Sequence, residues 1–366
     1  MKRALSVTAL LLLSASFLSA QNPPPAGQAA PPAAGQGGGR QGGRGPALPP
    51  IDPPKEWLSP TRPKELLEFG MMTWPEVYDA IHHQGKTVAL YYAGGNEHRG
   101  PQNVNGGHTL MGEAKVVEIA RRLGNAIVLP VMPYSSNNAS NQQTGTLGLD
   151  AAVEEALTER IAEQAIATGF TTVILLNDHG GSVGPMTKVA KKLEEKYRAP
   201  ELADKKIHVF YADQIYQTAQ DKFDDVLRSR NLPVSGHAGI PDTSEMMYSG
   251  KGKNWVRLDL LKYAVTMGPG YVPVEGAGMG TTSRTAGAAA PAAAGAAAAG
   301  GGAAAGGGGG RGAGRGAAVD PNAPRIVASG VSGDGRLSSE ALGKEAFENK
   351  VTLAVNQIKA WMATVK

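Results

Sequence analysis

The chain has 366 residues, no cysteine, and 36 Lys and Arg against 32 Asp and Glu, for a formal net charge of +4. The lack of cysteine excludes disulfide bonds and thiolate ligands, so a metal ion would have to be held by His, Asp, Glu or backbone oxygen. The excess positive charge lies at Lys2, Arg3 and the arginines of glycine-rich tracts, so it gives no electrostatic argument for binding nucleic acid.

The N-terminal residues predict export followed by a spacer. Lys2 and Arg3 precede an apolar run that ends near Ala20, which is the pattern of a secretory signal peptide over residues 1–20. Residues 21–60 begin with a Pro, Gly and Gln-rich stretch that almost lacks large apolar side chains, and such a stretch is expected to be disordered. We therefore expect an exported protein, periplasmic or secreted.

Beyond the spacer, the hydrophobic pattern predicts a single domain over residues 61–366. Helices with 3.6-residue spacing alternate with continuous apolar runs typical of buried strands. This alternation predicts right-handed βαβ units and a mostly parallel sheet covered by helices on both faces, an α/β fold. The predicted elements are a helix over 73–85, a strand over 86–95, a helix over 108–124, a strand over 125–134, a helix over 149–169, a strand over 170–178, a helix over 184–199, a strand over 206–213 and a terminal helix over 338–365.

A tract rich in Gly and Ala interrupts the predicted domain at residues 276–318. We interpret it as a low-complexity insertion in a surface loop, because the entropy of closing a loop grows slowly with its length. The alternative is a linker to a second domain. The roughly forty residues that follow are too few to form a strong core of their own.

Three polar, glycine-rich stretches follow predicted strands or lie in a later loop. They are GGNEHRGP (94–101), NDHGGS (177–182) and HAGIPDTSE (237–245). Ligands bind at the carboxyl ends of the strands in parallel α/β sheets, so we expect these stretches to converge on one edge. The second stretch could instead be an Asx turn, and the third a capped helix start with a surface histidine.

Five stretches of the sequence carry a family resemblance. In chain order they are MTWPEVYDAIHHQGKTVALYYAGGNEHRGP, GTLGLD, ATGFTTVILLNDHGG, HAGIPDTSEMM and GVSGDGRLSSEALGKEAFENKV. In these stretches and in their order the chain resembles the creatininase family (creatinine amidohydrolase and relatives), over roughly residues 71–366 apart from the low-complexity insertion. The resemblance implies a three-layer α/β/α fold with a mostly parallel central sheet, metal-dependent hydrolysis of non-peptide C–N bonds, and homo-oligomers such as hexamers.

The resemblance assigns metal ligands only in part. Glu97 matches a ligand Glu, whereas Arg99 stands at a ligand His and His108 at the Asp that bridges two ions in the family. An imidazole cannot replace the charge of a bridging carboxylate. A fixed positive charge about 4 Å from an ion also repels it, by roughly 4 kcal/mol per unit charge product. We therefore expect no dinuclear site.

A mononuclear site is the remaining prediction. His179 matches a histidine ligand of the family, and Gly181 stands where creatininase itself has a further Glu. Glu97, His108 and His179 would then hold one divalent ion, with Zn the first choice and Mn or Fe as alternatives. A shift of the alignment by one residue would place His98 at the position of Arg99, and that alternative stays open.

The predicted catalytic residues surround these ligands. Arg99 would stand in for the second ion as an electrophile, Asp242 or Asp178 would act as base, and His237 would assist the leaving nitrogen or hold the oxyanion. The substrate would be a small, linear or cyclic amide. Because two metal positions are changed, a relative that binds or assembles without catalysis is the alternative. An extracellular scaffold built on the glycine-rich tracts is a third, less favoured because those tracts lack aromatic side chains.

Overall fold

A parallel sheet of four strands, in the order β2-β1-β3-β4, lies at the centre of the fold. The computed structural model describes residues 51–139, 144–266 and 329–365, so the predicted signal peptide and the low-complexity insertion lie outside the described residues. All three neighbouring pairs of strands run parallel, as predicted. The strands are β1 Val88–Ala93, β2 Ala126–Val128, β3 Thr172–Asn177 and β4 His208–Tyr211.

Strand β2 is shorter than the sequence predicts. The apolar run over 125–134 contains Pro130 and Pro133, which lack the backbone N–H that a ladder requires. The strand therefore ends at Val128. The chain beyond it stays beside the sheet, since Met132 N–H donates to the Tyr92 carbonyl at 2.9 Å.

The helices lie where the pattern predicts them, with one addition, α5; α6 begins within HAGIPDTSE, where a capped helix start was one of the interpretations. Helix α1 begins at a capping box in which the Thr73 N–H donates to Glu76 Oε2 at 2.7 Å. None of the described helices is long and apolar enough to cross a membrane. The helices are α1 Trp74–His82, α2 Gly107–Leu123, α3 Ala151–Thr168, α4 Val183–Arg198, α5 Gln217–Ser229, α6 Ile240–Ser249 and α7 Glu340–Thr364.

The helices cover both faces of the sheet and bury two apolar clusters. On β1, Tyr91 faces the cluster formed with α1, α3 and α4. Leu90 and Tyr92 face the opposite cluster, formed with α2 and α7. Alternation of buried side chains to two faces is the mark of a sheet between two helical layers. The predicted three-layer α/β/α fold is confirmed.

The contact between α6 and α7 depends on a glycine inside α7. A Cβ added to Gly343 would lie 1.8 Å from the Ser244 carbonyl oxygen. Alanine normally stabilises a helix interior by about 1 kcal/mol relative to glycine. Here we expect the opposite sign, because the two helices would have to separate.

We predict that Gly343→Ala lowers the free energy of unfolding by about 1–3 kcal/mol, the usual cost of overpacking. Chemical denaturation followed by circular dichroism measures this quantity. Gly184→Ala in α4 is the matched control, since nothing lies within 4 Å of its added Cβ. That control should be neutral or stabilising, and equal effects of the two substitutions would contradict the packing argument.

Candidate metal centre

The three predicted metal ligands meet at the carboxyl ends of β1 and β3. Glu97 lies in the loop after β1, His179 follows β3, and His108 lies in the first turn of α2. One donor atom from each side chain lies within 4.8 Å of the others. Because the strands are parallel, residues that follow neighbouring strands emerge at the same edge of the sheet.

The Glu97 carboxylate is the centre of this donor cluster, defined as Glu97, His108 and His179. Its Oε1 lies 2.7 Å from His108 Nε2 and 3.1 Å from the guanidinium Nη1 of Arg99. Its Oε2 lies 3.1 Å from His179 Nε2 and accepts from Asn137 Nδ2 at 2.9 Å. Burial alone would raise the pKa of Glu97, but the charge and hydrogen bond of His108 and the hydrogen bond of His179 hold it well below its usual range.

His108 links the cluster to a second carboxylate. While its Nε2 faces Glu97, its Nδ1 lies 3.6 Å from Asp178 Oδ2. Burial and Arg99 act to lower the pKa of His108, but Glu97 and Asp178 outweigh them and raise it. This distance is too long for a hydrogen bond, so Asp178 acts on the ring through its charge, from the side on which a carboxylate commonly orients a ligating histidine.

Arg99 is fully buried at the edge of the cluster. Its Nη2 lies 2.7 Å from Asp242 Oδ2, and its other terminal nitrogen contacts Glu97. Burial opposes the charge, yet Asp242 and Glu97 raise the pKa of Arg99 above its usual value. The space for the guanidinium comes from Gly107, where an added Cβ would lie 2.6 Å from Arg99 Nε.

His237 and Asp242 lie on the more open side of the cluster, with side chains 31% and 16% exposed. The His237 Nε2 donates to the His98 carbonyl at 2.7 Å, and its Nδ1 lies 3.3 Å from Glu97 Oε1. Burial is the main cause of a lowered pKa of His237. Asp242 Oδ2 also accepts the Ala238 N–H at 2.9 Å.

Asp178, predicted as a candidate base, lies in a different environment from Asp242. It is 2% exposed, and its two oxygens accept from Lys115 Nζ at 2.7 Å and from Lys350 Nζ at 2.9 Å. Glu245 closes the arrangement by accepting from both lysines. We call these four side chains the buried ion ring. A carboxylate enclosed in this way cannot reach a substrate, so its position favours holding His108 instead.

His98, the alternative ligand, lies outside the donor cluster. Its ring packs edge-on against His237, with 5.5 Å between ring centroids. Its Nδ1 has no hydrogen-bond partner in the part of the chain that the structure describes. Of these two side chains, the Arg99 guanidinium contacts Glu97 Oε1, and the His98 imidazole is not part of the donor cluster.

Four residues of the site were not predicted from the sequence, namely Asn137, Lys115, Glu245 and Lys350. Asn137 follows β2, so the rule that ligands bind beyond strand ends could have found it. Lys115 and Lys350 lie on the buried faces of α2 and α7, among apolar residues. A lysine on an apolar helix face is the signal that was available, because buried lysines are rare unless paired.

A divalent ion fits the donor set after local changes, of which one involves His179. One carboxylate with two imidazoles is a set that catalytic zinc sites use. At His179, Nδ1 accepts the Gly181 N–H at 3.1 Å, so that the neutral ring carries its proton on Nε2. An ion bound at Nε2 requires the proton to move to Nδ1 and this hydrogen bond to be given up.

Comparisons with known proteins agree with this architecture. A family model described as "Creatininase: Creatinine amidohydrolase" matches residues 70–358. No curated protein matches the chain. Among solved structures, one named "Creatininase Mn" is 18% identical with a TM-score of 0.54, over 81% of this chain and 98% of that one.

Two further structures give the same result. A "creatinine amidohydrolase (creatininase)" is 19% identical with a TM-score of 0.53, over 80% of this chain and 97% of that one. A mutant creatininase of the "Zn-Zn type" is 18% identical with a TM-score of 0.52, over 81% and 98% of the two chains. At these identities the likeness establishes the fold. With the family match extending over most of its length, the chain belongs to the creatininase family, described as creatinine amidohydrolase, a class of hydrolases that act on C–N bonds.

Proposed function

We propose that the chain is an exported, metal-dependent amidohydrolase that hydrolyses a non-peptide C–N bond of a small, linear or cyclic amide. The observation that carries the proposal is the convergence of Glu97, His108 and His179 at the carboxyl edge of the sheet. These three side chains would hold one divalent ion, with Zn the first choice and Mn or Fe as alternatives.

Arg99 supports one ion rather than two. Its guanidinium lies against Glu97 and Asp242, so a positive charge already occupies this side of the cluster. A second dication about 4 Å away would be repelled by roughly 8 kcal/mol at an effective dielectric of 20. In addition, His108 stands where the family has the Asp that bridges two ions, and its imidazole carries no compensating negative charge.

The exposed side chains suggest how protons move in the reaction. When bound, the ion would act as a Lewis acid and lower the pKa of a water molecule. His237 keeps its Nε2 proton on the His98 carbonyl, which leaves the Nδ1 lone pair facing the cluster. His237 can therefore take a proton at Nδ1 and return it to the leaving nitrogen. Asp242 is less suited to this step, because its Oδ2 is held by Arg99 and the Ala238 N–H.

We further propose where the protein is located and that it forms an oligomer. Export to the periplasm or the medium is supported by Lys2, Arg3 and the apolar run that follows. A homo-oligomer, with a hexamer as the first expectation, is supported by the family resemblance alone. Mass spectrometry of the mature N-terminus and light scattering of the purified protein test these two points.

Elemental analysis of the purified protein, combined with a screen of small amides, tests the activity. We expect about one Zn, Mn or Fe per chain, and release of ammonia or amine that EDTA abolishes and one equivalent of metal restores. Two ions per chain would contradict the mononuclear site. The absence of both metal and turnover would contradict the proposal itself.

A binding or assembly role without catalysis is the second candidate. It is favoured by one observation, namely that nitrogen atoms of five side chains surround the Glu97 oxygens and hold the carboxylate in place. Under this alternative, the protein would bind a small amide equally well with and without EDTA and release no amine from it. Calorimetry with the amides of the screen separates the two candidates.

A further inference from the structure

Residues 135–138, which we call the Asn137 segment, lie directly against the donor cluster. Three glycines on the surface below allow this approach. A Cβ added to Gly181 would lie 1.9 Å from the Ser136 carbonyl oxygen. A Cβ added to Gly148 would lie 2.0 Å from the Asn137 carbonyl oxygen. At Gly95 it would lie 2.8 Å from Ser135 Oγ. The segment is thus seated by backbone contacts that any larger residue would prevent.

Hydrogen bonds hold the segment in this place. The Leu149 N–H donates to the Ser135 carbonyl at 2.9 Å, and the Ser136 N–H donates to Glu154 Oε2 at 2.7 Å. Glu154 is itself fully buried. The position of the Asn137 side chain therefore follows from a fixed backbone.

The orientation of the Asn137 amide is also fixed. The Asn138 N–H donates to Asn137 Oδ1 at 2.8 Å, which turns the oxygen away from the cluster and the NH2 group toward it. Asn137 Nδ2 lies 2.9 Å from Glu97 Oε2 and 3.2 Å from His179 Nε2. The side chain thus turns its N–H groups toward two of the three atoms that would ligate the ion. An N–H group cannot itself coordinate a cation.

The Glu97 Oε2 and His179 Nε2 atoms are 3.1 Å apart, and Asn137 Nδ2 lies at nearly equal distances from both. An ion bound on the Asn137 side of these two atoms meets the NH2 group. Such an ion must break the hydrogen bond from Asn137 to Glu97. Hydrogen bonds to a charged group are among the stronger ones in proteins.

We propose that the ion binds on this side and that Asn137 is a metal-competing side chain, whose NH2 group the ion must displace and which thereby lowers the affinity for divalent cations. This inference rests on the proposed metal site. Its consequence is a site that fills only with cations that bind strongly enough to displace the amide. Removal of the amide should tighten binding about tenfold, the factor that corresponds to one net hydrogen bond.

Titration of the full-length mature protein with Mn²⁺ tests the inference, because the paramagnetic resonance signal of free Mn²⁺ reports affinity and stoichiometry without any assay of activity. We expect Asn137→Ala to bind about tenfold more tightly than the wild type, with the same number of ions per chain. Asn137→Asp places a carboxylate at the same point and should bind more tightly still. Asn138→Ala is the matched control, since it keeps the backbone N–H and changes only an exposed side chain; its affinity should equal that of the wild type.

The outcomes separate this inference from the proposed function. If the wild type binds Mn²⁺ and Asn137→Ala binds it equally or more weakly while both remain folded by circular dichroism, the inference is overturned and the metal site stands. If Asn137→Ala loses its fold, the affinity of Asn137→Ser, which also removes the amide, decides in the same way. If none of the variants binds, the metal site and the inference fall together. Binding by Asn137→Ala under conditions in which the wild type stays empty would be the strongest support.

Discussion

Glu97→Gln should abolish metal binding and amide hydrolysis together. Glu97 is the only carboxylate of the donor cluster found among the described residues, and both of its oxygens face the histidine nitrogens. Glutamine has nearly the same shape but no charge, so the substitution removes the anion with little change in packing. Loss of an outer-shell partner weakens metal binding by about 10–100-fold, and we expect a ligand to matter more, with a loss of about 100-fold or greater.

The same Mn²⁺ titration and the amide screen measure this effect. Glu113→Gln is the control, because Glu113 lies exposed on α2, the helix that also carries His108. It should leave both affinity and activity unchanged. Full metal occupancy in Glu97→Gln would show that the carboxylate is not a ligand and would remove the basis of the mononuclear site.

Lys350→Met should have the largest effect on stability. Lys350 holds Asp178 and Glu245 at 2.9 and 2.7 Å inside the buried ion ring. Removal of one partner leaves a buried charge without compensation, which costs about 3–5 kcal/mol. Denaturant unfolding at pH 7 measures the loss. Lys359→Met on the exposed side of α7 is the control and should change the free energy of unfolding by no more than about 0.5 kcal/mol.

The pH dependence of this loss identifies its origin. Burial acts to raise the pKa of Asp178, but Lys115 and Lys350 hold it well below its usual range. Burial acts to lower the pKa of Lys350, but Asp178 and Glu245 raise it above its usual range. A depressed acid stabilises the fold above its unfolded pKa, near 3.9, and a raised lysine does so below its unfolded pKa, near 10.4.

The ring should therefore stabilise the wild type between about pH 4 and pH 10. In Lys350→Met, a proton can neutralise Asp178 more readily because one lysine is gone. The deficit relative to the wild type should shrink as the pH falls from 7 toward 4. A deficit that stays constant over this range would assign the loss to packing of the lysine stem instead of charge.

The fold was predictable because local patterns encode it. Parallel strands buried on both faces are continuous apolar runs, and β1 and β3 show this clearly in the sequence. The predicted strand β2 is too long because its apolar run continues past Pro130, where the regular ladder is interrupted and only an isolated bridge at Met132 follows. Helix α5 was missed although Ala219, Phe223 and Leu227 are buried at four-residue spacing, because the rest of the segment is strongly polar.

The site was predictable only where strand ends bring residues together. Glu97 and His179 follow neighbouring strands, so the topology places them at one edge. The other three members of the buried ion ring come from α2, α6 and α7, whose approach depends on tertiary packing and on glycines such as Gly343. Asn137 reaches the cluster because Gly148 and Gly181 make room, and only the folded chain reveals that fit.

The contribution of α7 has a consequence for how the protein is made. Asp178, Lys115 and Glu245 precede it by a long stretch of chain, and Lys350 belongs to this last helix. Until α7 has been synthesised and has docked, two buried carboxylates share a single lysine, and the support behind His108 is incomplete. A chain in which α7 has not docked therefore lacks one lysine of the buried ion ring. The donor cluster gains its full support only after α7 has packed against α6 and the sheet.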